Sequence, residues 1–327
     1  MTNPVHPETQ ASFAKAMGWA VRLSLAGLVA APTFMALVTL TGMRNQYADL
    51  IAQFIAPALF ATLGLGVLFL LFRRRRWAAA TLAPAALLLI AVSPQWFPSA
   101  SKPVEGAASI RLYSANLWVR NNDLDAIAAS IRQADADIVM LIELGDATAS
   151  HVDALVGDYP HRITSPRFGR PNGAVRSVIA SRYPLVGFPR QVRVEAVGAT
   201  AMTPLGPVNL VSIHLTRPWP FEESWGQISQ TMLLDQLLEE MSGPVVVAGD
   251  FNSVSSARIG KQVRKDIGLR PAPGFPGTWP SSLPPAFTIT IDQVYASPDL
   301  AFVSRRLGRP TGSDHRPVVT EITRAAD

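Results

Sequence analysis

The first hundred residues alternate long apolar runs with short clusters of charged side chains. Uncharged runs of 21 residues (23–43), 23 residues (50–72) and 25 residues (77–101) follow one another, and the third is mostly apolar over 77–97. A helix of about 20 apolar residues crosses the hydrocarbon core of a bilayer. The pattern therefore predicts an all-α membrane region over residues 1–97, with three transmembrane helices at about 23–43, 50–72 and 77–97.

The charged clusters predict how these spans are oriented. Arg73–Arg76 lies between the second and third runs, and cytoplasmic loops are enriched in Lys and Arg. Placing the four arginines inside makes everything after the third span extracytoplasmic, at a bacterial inner or plasma membrane. A cleaved signal peptide is a poor alternative, because the first run exceeds the usual apolar core of about 7–15 residues. Pro84 and Pro94 also suit a re-entrant third segment, which would leave the rest of the chain in the cytoplasm.

The overall composition agrees with this division into two parts. The 327 residues are 48% hydrophobic and 16% charged, whereas soluble domains carry about 25% charged residues. Residues 1–104 have a formal net charge of +6 and residues 105–327 one of −1. The basic balance therefore belongs to the membrane region, and charge gives no reason to predict nucleic-acid binding. The chain has no cysteine, which excludes disulfides, thiol nucleophiles and thiolate metal sites.

From residue 98 onwards the pattern changes to short strands and amphipathic helices. Residues 98–109 contain Pro, Ser and Gly and read as a linker, followed by a separate domain over 110–327. Strands are predicted at 110–117, 138–144, 177–181, 208–215, 244–248, 289–296 and 318–322, and helices at 123–133, 147–156 and 225–241. This alternation predicts a layered α/β sandwich around a mixed sheet core.

Polar side chains follow or precede several of the predicted apolar strands. They are Asn116, Glu143, His214, Asp250, Asn252, Asp292, Asp314 and His315. A charged group at the end of a buried strand is costly unless it is paired or bound to a metal, and ligand sites gather where strands end. Taken singly, each residue also fits a turn, a helix cap, a salt bridge or a buried structural histidine. The set of eight favours a functional site.

The motifs that contain these residues resemble a known family. They are Ser114-Ala115-Asn116, Leu141-Ile142-Glu143, Ile213-His214-Leu215, Gly249-Asp250-Phe251-Asn252, Ile291-Asp292-Gln293-Val294 and Ser313-Asp314-His315. In this order they resemble the endonuclease/exonuclease/phosphatase superfamily, which includes DNase I. The resemblance covers about two-thirds of the chain and implies a four-layer DNase I-like α/β sandwich over 110–327. Gln293 stands where many membrane-tethered relatives carry histidine.

The residue types suit hydrolysis of a phosphate ester. Such a reaction needs an activated water, neutralisation of charge on the phosphoryl oxygens and help for the leaving oxygen. Carboxylate and amide oxygens are the ligands that Mg²⁺ or Mn²⁺ prefers, so Glu143 and Asn116 are the predicted metal ligands, with Asp314 at a possible second position. His315 suits a general base near neutral pH.

The remaining candidate residues have roles that suit the same reaction. The resemblance implies that Asp292 orients His315. Asp250 would position the water or help to deprotonate it, and Asn252 and His214 would donate to the transition-state oxygens or the leaving group. Arg217 has a planar fork suited to a substrate phosphate, although a surface loop arginine is an equal alternative.

The combined prediction is a membrane-anchored, divalent-metal-dependent phosphoesterase that cleaves a phosphodiester by in-line attack of water. Its substrate is either a nucleic acid or a phospholipid head group; its other partner is the lipid bilayer, and no protein partner is implied. The alternative is a catalytically silent DNase I-like domain that binds or senses. A transporter is disfavoured, because three spans without intramembrane charge form a poor substrate path.

Overall fold

The computed structural model describes residues 7–165, 177–188 and 197–326. Its N-terminal helices are α1 (Pro7–Thr41), α2 (Gln46–Gln53), α3 (Ile55–Leu71), α4 (Arg75–Ala80) and α5 (Leu82–Trp96). The helices α1, α3 and α5 pack on one another around a small apolar core that includes Ile55, Leu59, Leu88 and Val92. Asn45 begins α2 as its N-cap, since its side chain accepts from two backbone amides of the first turn.

Two apolar segments of this region, Lys15–Thr41 and Arg75–Trp96, are long enough to cross a membrane. The helices α2 and α3 qualify as a third segment only when they are taken together, and they are bent by 57° relative to each other. The predicted second span, 50–72, is therefore interrupted at Phe54. The 57° bend falls in this run, whereas the third run, although divided at Thr81 between α4 and α5, still qualifies as one segment.

Large apolar side chains cover the outside of these helices. They include Trp19, Leu23, Phe34, Val67, Leu70, Leu71, Phe72, Leu82 and Ile90, whose exposed fractions lie between 55% and 74%. Such a continuous apolar surface is unusual on a protein that faces only water. The helices are thus apolar outside as well as inside, as lipid-facing helices are.

The remainder of the chain forms twelve strands and five helices within the described ranges. In chain order they are β1 (Ser109–Asn116), α6 (Leu124–Ala134), β2 (Ile138–Ile142), α7 (Asp146–Ser150), α8 (Val152–Leu155), β3 (His161–Thr164), β4 (Val178–Ser181), β5 (Leu185–Gly187), β6 (Val197–Thr203), β7 (Gly206–His214), α9 (Ser224–Glu239), β8 (Val245–Asp250), α10 (Arg258–Lys265), β9 (Arg270–Pro271), β10 (Asp292–Ala296), β11 (Leu300–Leu307) and β12 (Val318–Arg324). A short 3₁₀ turn spans Pro285–Phe287.

The strands form two six-stranded mixed sheets. The first has the order β11-β12-β1-β2-β4-β3 and the second the order β5-β6-β7-β8-β10-β9. Each sheet has one parallel pair at its centre, β1 with β2 and β7 with β8. The central strands are buried on both faces, which explains why β2 and β8 are continuous apolar runs in the sequence.

Three apolar clusters separate four layers. One, with Leu112, Met140 and Leu210, lies between the two sheets. A second packs Ile127 and Ile131 of α6 on the outer face of the first sheet, and a third packs Leu234 of α9 and other helical residues on the outer face of the second. The two mixed sheets with flanking helices fit a DNase I-like α/β sandwich.

The N-terminal helices contact the second sheet side of the sandwich through polar and aromatic side chains. Lys261 Nζ donates to the carbonyl of Thr39 at the end of α1 (3.1 Å), and Arg258 pairs with Asp49 of α2 (3.1 Å). Gln95 of α5 donates to Thr290 Oγ1 (3.3 Å). The ends of α1 and α5, together with α2, therefore face the same side of the sandwich.

Candidate active site

Strand register brings five of the predicted site residues to one edge of the sandwich. Asn116 ends β1 opposite Ile142, the last residue of β2, so Glu143 follows directly beside it. In the second sheet, His214 and Asp292 are both register partners of Asp250. These contacts arise because the carboxyl ends of parallel strands meet at one edge, and because antiparallel β10 begins where β8 ends.

The carboxylate of Asp250 is the centre of the cluster. Its Oδ2 accepts from Asn116 Nδ2 at 3.1 Å and lies 3.9 Å from Nε2 of both His214 and His315. Glu143 Oε1 completes the group: it accepts from Asn116 Nδ2 at 3.0 Å and lies 3.1 Å from His214 Nε2. Asn116 and the two histidines thus surround two carboxylates with hydrogen-bond donors.

His315 forms a pair with Asp292 on the other side of Asp250. The His315 Nδ1 and Asp292 Oδ2 atoms are 2.9 Å apart, and both side chains are buried. The Asp292 backbone amide is held in turn by Thr278 Oγ1 (3.2 Å). The hydrogen bond between His315 Nδ1 and Asp292 fixes the imidazole so that Nε2 faces Asp250. This geometry is the one that the orienting role implied for Asp292 requires.

The charges of this cluster shift two pKa values in a functionally relevant direction. Burial alone disfavours the imidazolium form of His315, but the charge and hydrogen bond of Asp292, with Asp250 and Asp314 behind it, raise the pKa of His315 to about 10. Burial raises the pKa of Asp250, and the nearby Asp292 adds to this effect. In the chain without a bound cation, His315 therefore keeps a proton at neutral pH.

Tight backbone geometry positions these side chains. Glu143 and Asn252 adopt left-handed conformations, with φ of 54° and 47°, which L-residues other than Asn, Asp and Gly seldom adopt. Gly249, just before Asp250, has φ of 144°, and a Cβ at this position would lie 1.9 Å from the carbonyl oxygen of Ile213. Glycine is thus required where β7 and β8 approach each other beside the cluster.

Asn252 lies in the turn that follows β8. Its backbone amide donates to Asp250 Oδ1 (2.7 Å), and its Nδ2 donates to the carbonyl of Leu215 (2.9 Å). The structure therefore ties Asn252 to both Asp250 and the residue after His214. Gln293, the departure from the pattern of tethered relatives, is buried and donates to the carbonyl of Ser253, so it supports this same turn.

Asp314 and Arg217 lie at the margin of the cluster. Asp314 Oδ1 is 4.0 Å from His315 Nε2, while its Oδ2 accepts from Trp279 Nε1 at 3.2 Å. The guanidinium of Arg217 is exposed, with its Nε 3.7 Å from Glu222 Oε1 and its Cζ 5.5 Å from the ring centroid of Phe221. The recorded contacts of Arg217 are therefore with its own loop.

The donor set suits a hard divalent cation. One ligand atom each from Glu143, His214 and Asp250 lie within 4.8 Å of one another, and so do atoms of Asp250, Asp292 and His315. Two carboxylates at the first group supply the oxygen ligands that Mg²⁺ and Mn²⁺ prefer. Asn116 directs Nδ2 to this group, and its Oδ1 accepts from the Trp118 amide (2.9 Å); an oxygen ligand from Asn116 requires the amide to turn over.

Sequence reasoning did not find two further side chains beside the cluster. Thr278 supports Asp292, as described above. Arg305, from β11, donates to the carbonyl of Pro276 at 2.6 Å; burial lowers its pKa to about 10, although the charge of Asp292 opposes this change. Neither residue lies in a strand-end motif, so no local signal distinguishes them from surface polar residues.

Comparison with known proteins agrees with the fold. Residues 113–315 match the model of the Endonuclease/Exonuclease/phosphatase family. No curated protein matches the chain. An endonuclease/exonuclease/phosphatase from Beutenbergia cavernae DSM 12333 is 21% identical, with 67% of this chain and 72% of that chain covered and a TM-score of 0.50.

Two further solved structures share the fold. An endonuclease/exonuclease/phosphatase from Bacteroides vulgatus is 15% identical, with 66% of this chain and 99% of that one covered and a TM-score of 0.56. A humanized D. rerio TDP2 is 16% identical, with 66% and 99% covered and a TM-score of 0.51. At these identities the likeness concerns the fold, whereas the family match extends over more than half of the chain and includes every strand-end motif. The chain belongs to the endonuclease/exonuclease/phosphatase family.

Proposed function

We propose that this protein is a membrane-anchored, divalent-metal-dependent phosphoesterase that hydrolyses a phosphodiester. The observation that carries the proposal is the central carboxylate of Asp250, which contacts Asn116, His214 and His315 and lies near Glu143. A charged group of this kind, buried beside a second carboxylate, is costly to a fold and is expected where it binds a cation or moves a proton.

The proposed roles follow from charge and position. Glu143 would hold the cation, with Asn116 contributing when its oxygen turns inward and Asp314 at a second position. The cation, when bound, would neutralise charge on the phosphoryl oxygens. Asp250, whose pKa burial raises, is suited to accept a proton from the attacking water.

For His315 we propose a role other than the general base predicted from sequence. A general base must be unprotonated, and in the cation-free chain the raised pKa of His315 favours the imidazolium. We therefore assign His315, oriented by Asp292, to donating a hydrogen bond to a phosphoryl oxygen, and we leave the base role to Asp250. Asn252 and His214 would donate to the remaining oxygens or to the leaving group.

The position of the helix ends supports a membrane anchor. The ends of α1 and α5 face the sandwich, and the 17-residue helix α3 carries the chain roughly 25 Å away from it. The exposed run Arg73–Arg76 follows at that far end. If the arginines lie in the cytoplasm, the sandwich over 110–327 lies on the extracytoplasmic side, joined by the linker 98–109.

The surface beside the site favours a substrate that is presented by the membrane. Phe221 and Trp225 are 69% and 63% exposed; Phe221 lies in the loop between β7 and α9, and Trp225 lies in the first turn of α9. In the same loop, Trp219 packs against Tyr47 of α2, with ring centroids 4.9 Å apart. Exposed aromatic side chains next to the N-terminal helices suit the membrane interface. They favour a phospholipid head group over a nucleic acid, which is the second candidate substrate.

The test is hydrolysis of bis(p-nitrophenyl) phosphate by the purified full chain, with Mg²⁺ or Mn²⁺ or with a chelator. We expect hydrolysis that requires the cation and is lost in Asp250→Ala. A folded wild-type chain that hydrolyses neither this diester, a phosphomonoester nor a vesicle phospholipid would support the competing function, a catalytically silent domain that binds or senses.

A further inference from the structure

Three glutamine side chains from three different elements form hydrogen bonds with the turn after β8. Gln227 of α9 donates to the carbonyls of Phe251 (3.2 Å) and Asn252 (3.1 Å), and Gln293 of β10 donates to that of Ser253. The third amide comes from the N-terminal region. It belongs to Gln53, the last residue of α2, about two hundred residues earlier in the chain.

Both polar atoms of Gln53 are used by this turn. Gln53 Oε1 accepts from the backbone amide of Val254 at 2.9 Å, and its Nε2 donates to Ser253 Oγ at 3.3 Å. The side chain is only 4% exposed. The Val254 amide therefore depends on Gln53 for its hydrogen bond, because a buried donor has little access to water.

Apolar packing closes the same contact. Ala52, the neighbour of Gln53, is clustered with Val254, Ala257, Ile289 and Ile291, and Trp279 packs against this group. The glutamine bonds are thus enclosed by side chains of the helix and of the sandwich. Hydrogen bonds in such a dry environment hold their geometry better than exposed ones.

We propose that Gln53 is a positioning residue for the candidate catalytic turn, so that the membrane region forms part of the active-site scaffold as well as an anchor. Gln53 holds Ser253 and Val254, and these fix the preceding Asn252 in its left-handed conformation. The Asn252 amide donates to Asp250 Oδ1, so a displaced turn also releases the central carboxylate. The proposal rests on the proposed function for its catalytic consequence.

The test compares Gln53→Met with a matched control on the same helix. Methionine has nearly the length of glutamine but cannot make either bond. The control is Asp49→Asn, one helical turn earlier, which weakens the pairing of α2 with Arg258 on α10 without removing a bond to residues 252–254. Both variants are prepared as the full chain in the same detergent, with hydrogen exchange of the Val254 amide and kcat and KM for bis(p-nitrophenyl) phosphate as readouts.

We expect Gln53→Met to speed exchange at Val254 about tenfold and to lower kcat by about ten- to a hundredfold, with KM changed less than about twofold, since small displacements of catalytic groups are costly. Asp49→Asn should change neither, even where both variants melt earlier. Equal values for the two variants would overturn the proposal.

Failure of the proposed function gives a different pattern. If the wild-type chain hydrolyses nothing, the phosphoesterase assignment is wrong, and the exchange measurement still decides whether Gln53 holds the turn. Faster exchange confined to residues 252–254 in Gln53→Met supports the structural part of the proposal. Unchanged exchange in this variant overturns it.

Discussion

The N-terminal helices and the sandwich both bury apolar residues, but they differ in where they place their polar and their exposed apolar side chains. In the sandwich, apolar residues fill three buried clusters, and the buried carboxylates of Asp250 and Asp292 lie where β8 ends and β10 begins. In the N-terminal region, large apolar residues such as Leu71 and Phe72 are on the outside, while Gln53 and Gln95 are buried. Buried polarity, more than buried apolar surface, therefore marks where this protein has a specific task.

The buried carboxylates of the sandwich and the buried glutamines of the N-terminal helices lie beside the same segment. Gln53 and Gln95 contact the segment 253–256, which begins three residues after Asp250. Hydrogen bonding to these glutamines removes the penalty of burying the backbone of a turn. The comparison predicts large effects on activity at the strand ends, large effects on stability between strands, and small effects on the outer surface.

The largest expected effect is on activity at the dyad formed by His315 and Asp292. In the full chain, His315→Ala should lower kcat for bis(p-nitrophenyl) phosphate by about a thousandfold, because it removes a donor to the phosphoryl oxygens. Circular dichroism and melting temperature check that the fold persists. Activity within tenfold of the wild type would show that His315 has no direct role.

A pair of glycine substitutions tests the comparison on stability. Gly249→Ala should lower the free energy of unfolding by about 3 kcal/mol or more, since its Cβ would clash with the carbonyl of Ile213. Gly64→Ala in α3 has no atom within 4 Å of the new Cβ and should raise helix stability by roughly 0.5–1 kcal/mol. Thermal unfolding of both variants in one detergent measures the difference, and similar melting temperatures would contradict it.

The charge of the dyad gives a prediction on pH. The pKa of His315 is raised in the folded chain, so its pairing with Asp292 stabilises the fold fully below about pH 6.5, the ordinary histidine value. This contribution is lost as the pH rises toward about 10, with a slope of at most about 1.4 kcal/mol per pH unit for one proton. Asp292→Asn removes the main cause of the shift, so its stability should fall less steeply between pH 7 and 10.

The measurement is melting temperature against pH for the wild type and Asp292→Asn, with a chelator present to keep cations from the site. Parallel curves for the two proteins would show that the pKa of His315 is not coupled to Asp292. The neutral variant also serves as its own control for packing, because asparagine keeps the size of the aspartate.

The grouping of the strand-end side chains could be predicted from sequence because it follows from local patterns. The continuous apolar runs of β2 and β8 predicted buried strands, and Asn116, Glu143, Asp250 and His214 meet because parallel strands end at one edge. By contrast, β6 (Val197–Thr203) is made of small residues, and the edge strand β11 contains two consecutive arginines. Their periodicity was too weak to predict either strand.

Tertiary contacts set what the sequence could not show. Gln53 lies within a predicted apolar span, and nothing near it indicates a hydrogen bond to Val254. The family resemblance named the site residues but said nothing of this contact, because the N-terminal helices lie outside the matched residues 113–315. The bend at Phe54 also depends on a tertiary contact, because α2 packs against the sandwich just before it. The sequence around Phe54 therefore does not predict it.

A smaller effect is expected at the two exposed aromatic side chains that follow β7. Replacing both Phe221 and Trp225 with alanine should reduce hydrolysis of a vesicle phospholipid by about tenfold, because each exposed ring contributes apolar area to interfacial binding. Hydrolysis of water-soluble bis(p-nitrophenyl) phosphate should stay within about twofold. The control is Val303→Ala, an exposed apolar residue on β11. An equal loss on both substrates would mean that these side chains support the site and do not bind the membrane.

The smallest effect is predicted for Arg217, where sequence and structure differ in emphasis. Its spacing after His214 suggested a phosphate contact, but the side chain is mostly exposed and lies near Glu222 and Phe221. Exposed ion pairs contribute little to stability, about 0–1 kcal/mol, and a guanidinium turned to its own loop contributes little to a bound phosphate. Arg217→Gln should therefore change KM for the soluble diester by less than about twofold. An increase in KM of tenfold or more, with kcat unchanged, would instead show that Arg217 binds the substrate. The loop would then have to turn inward when substrate binds.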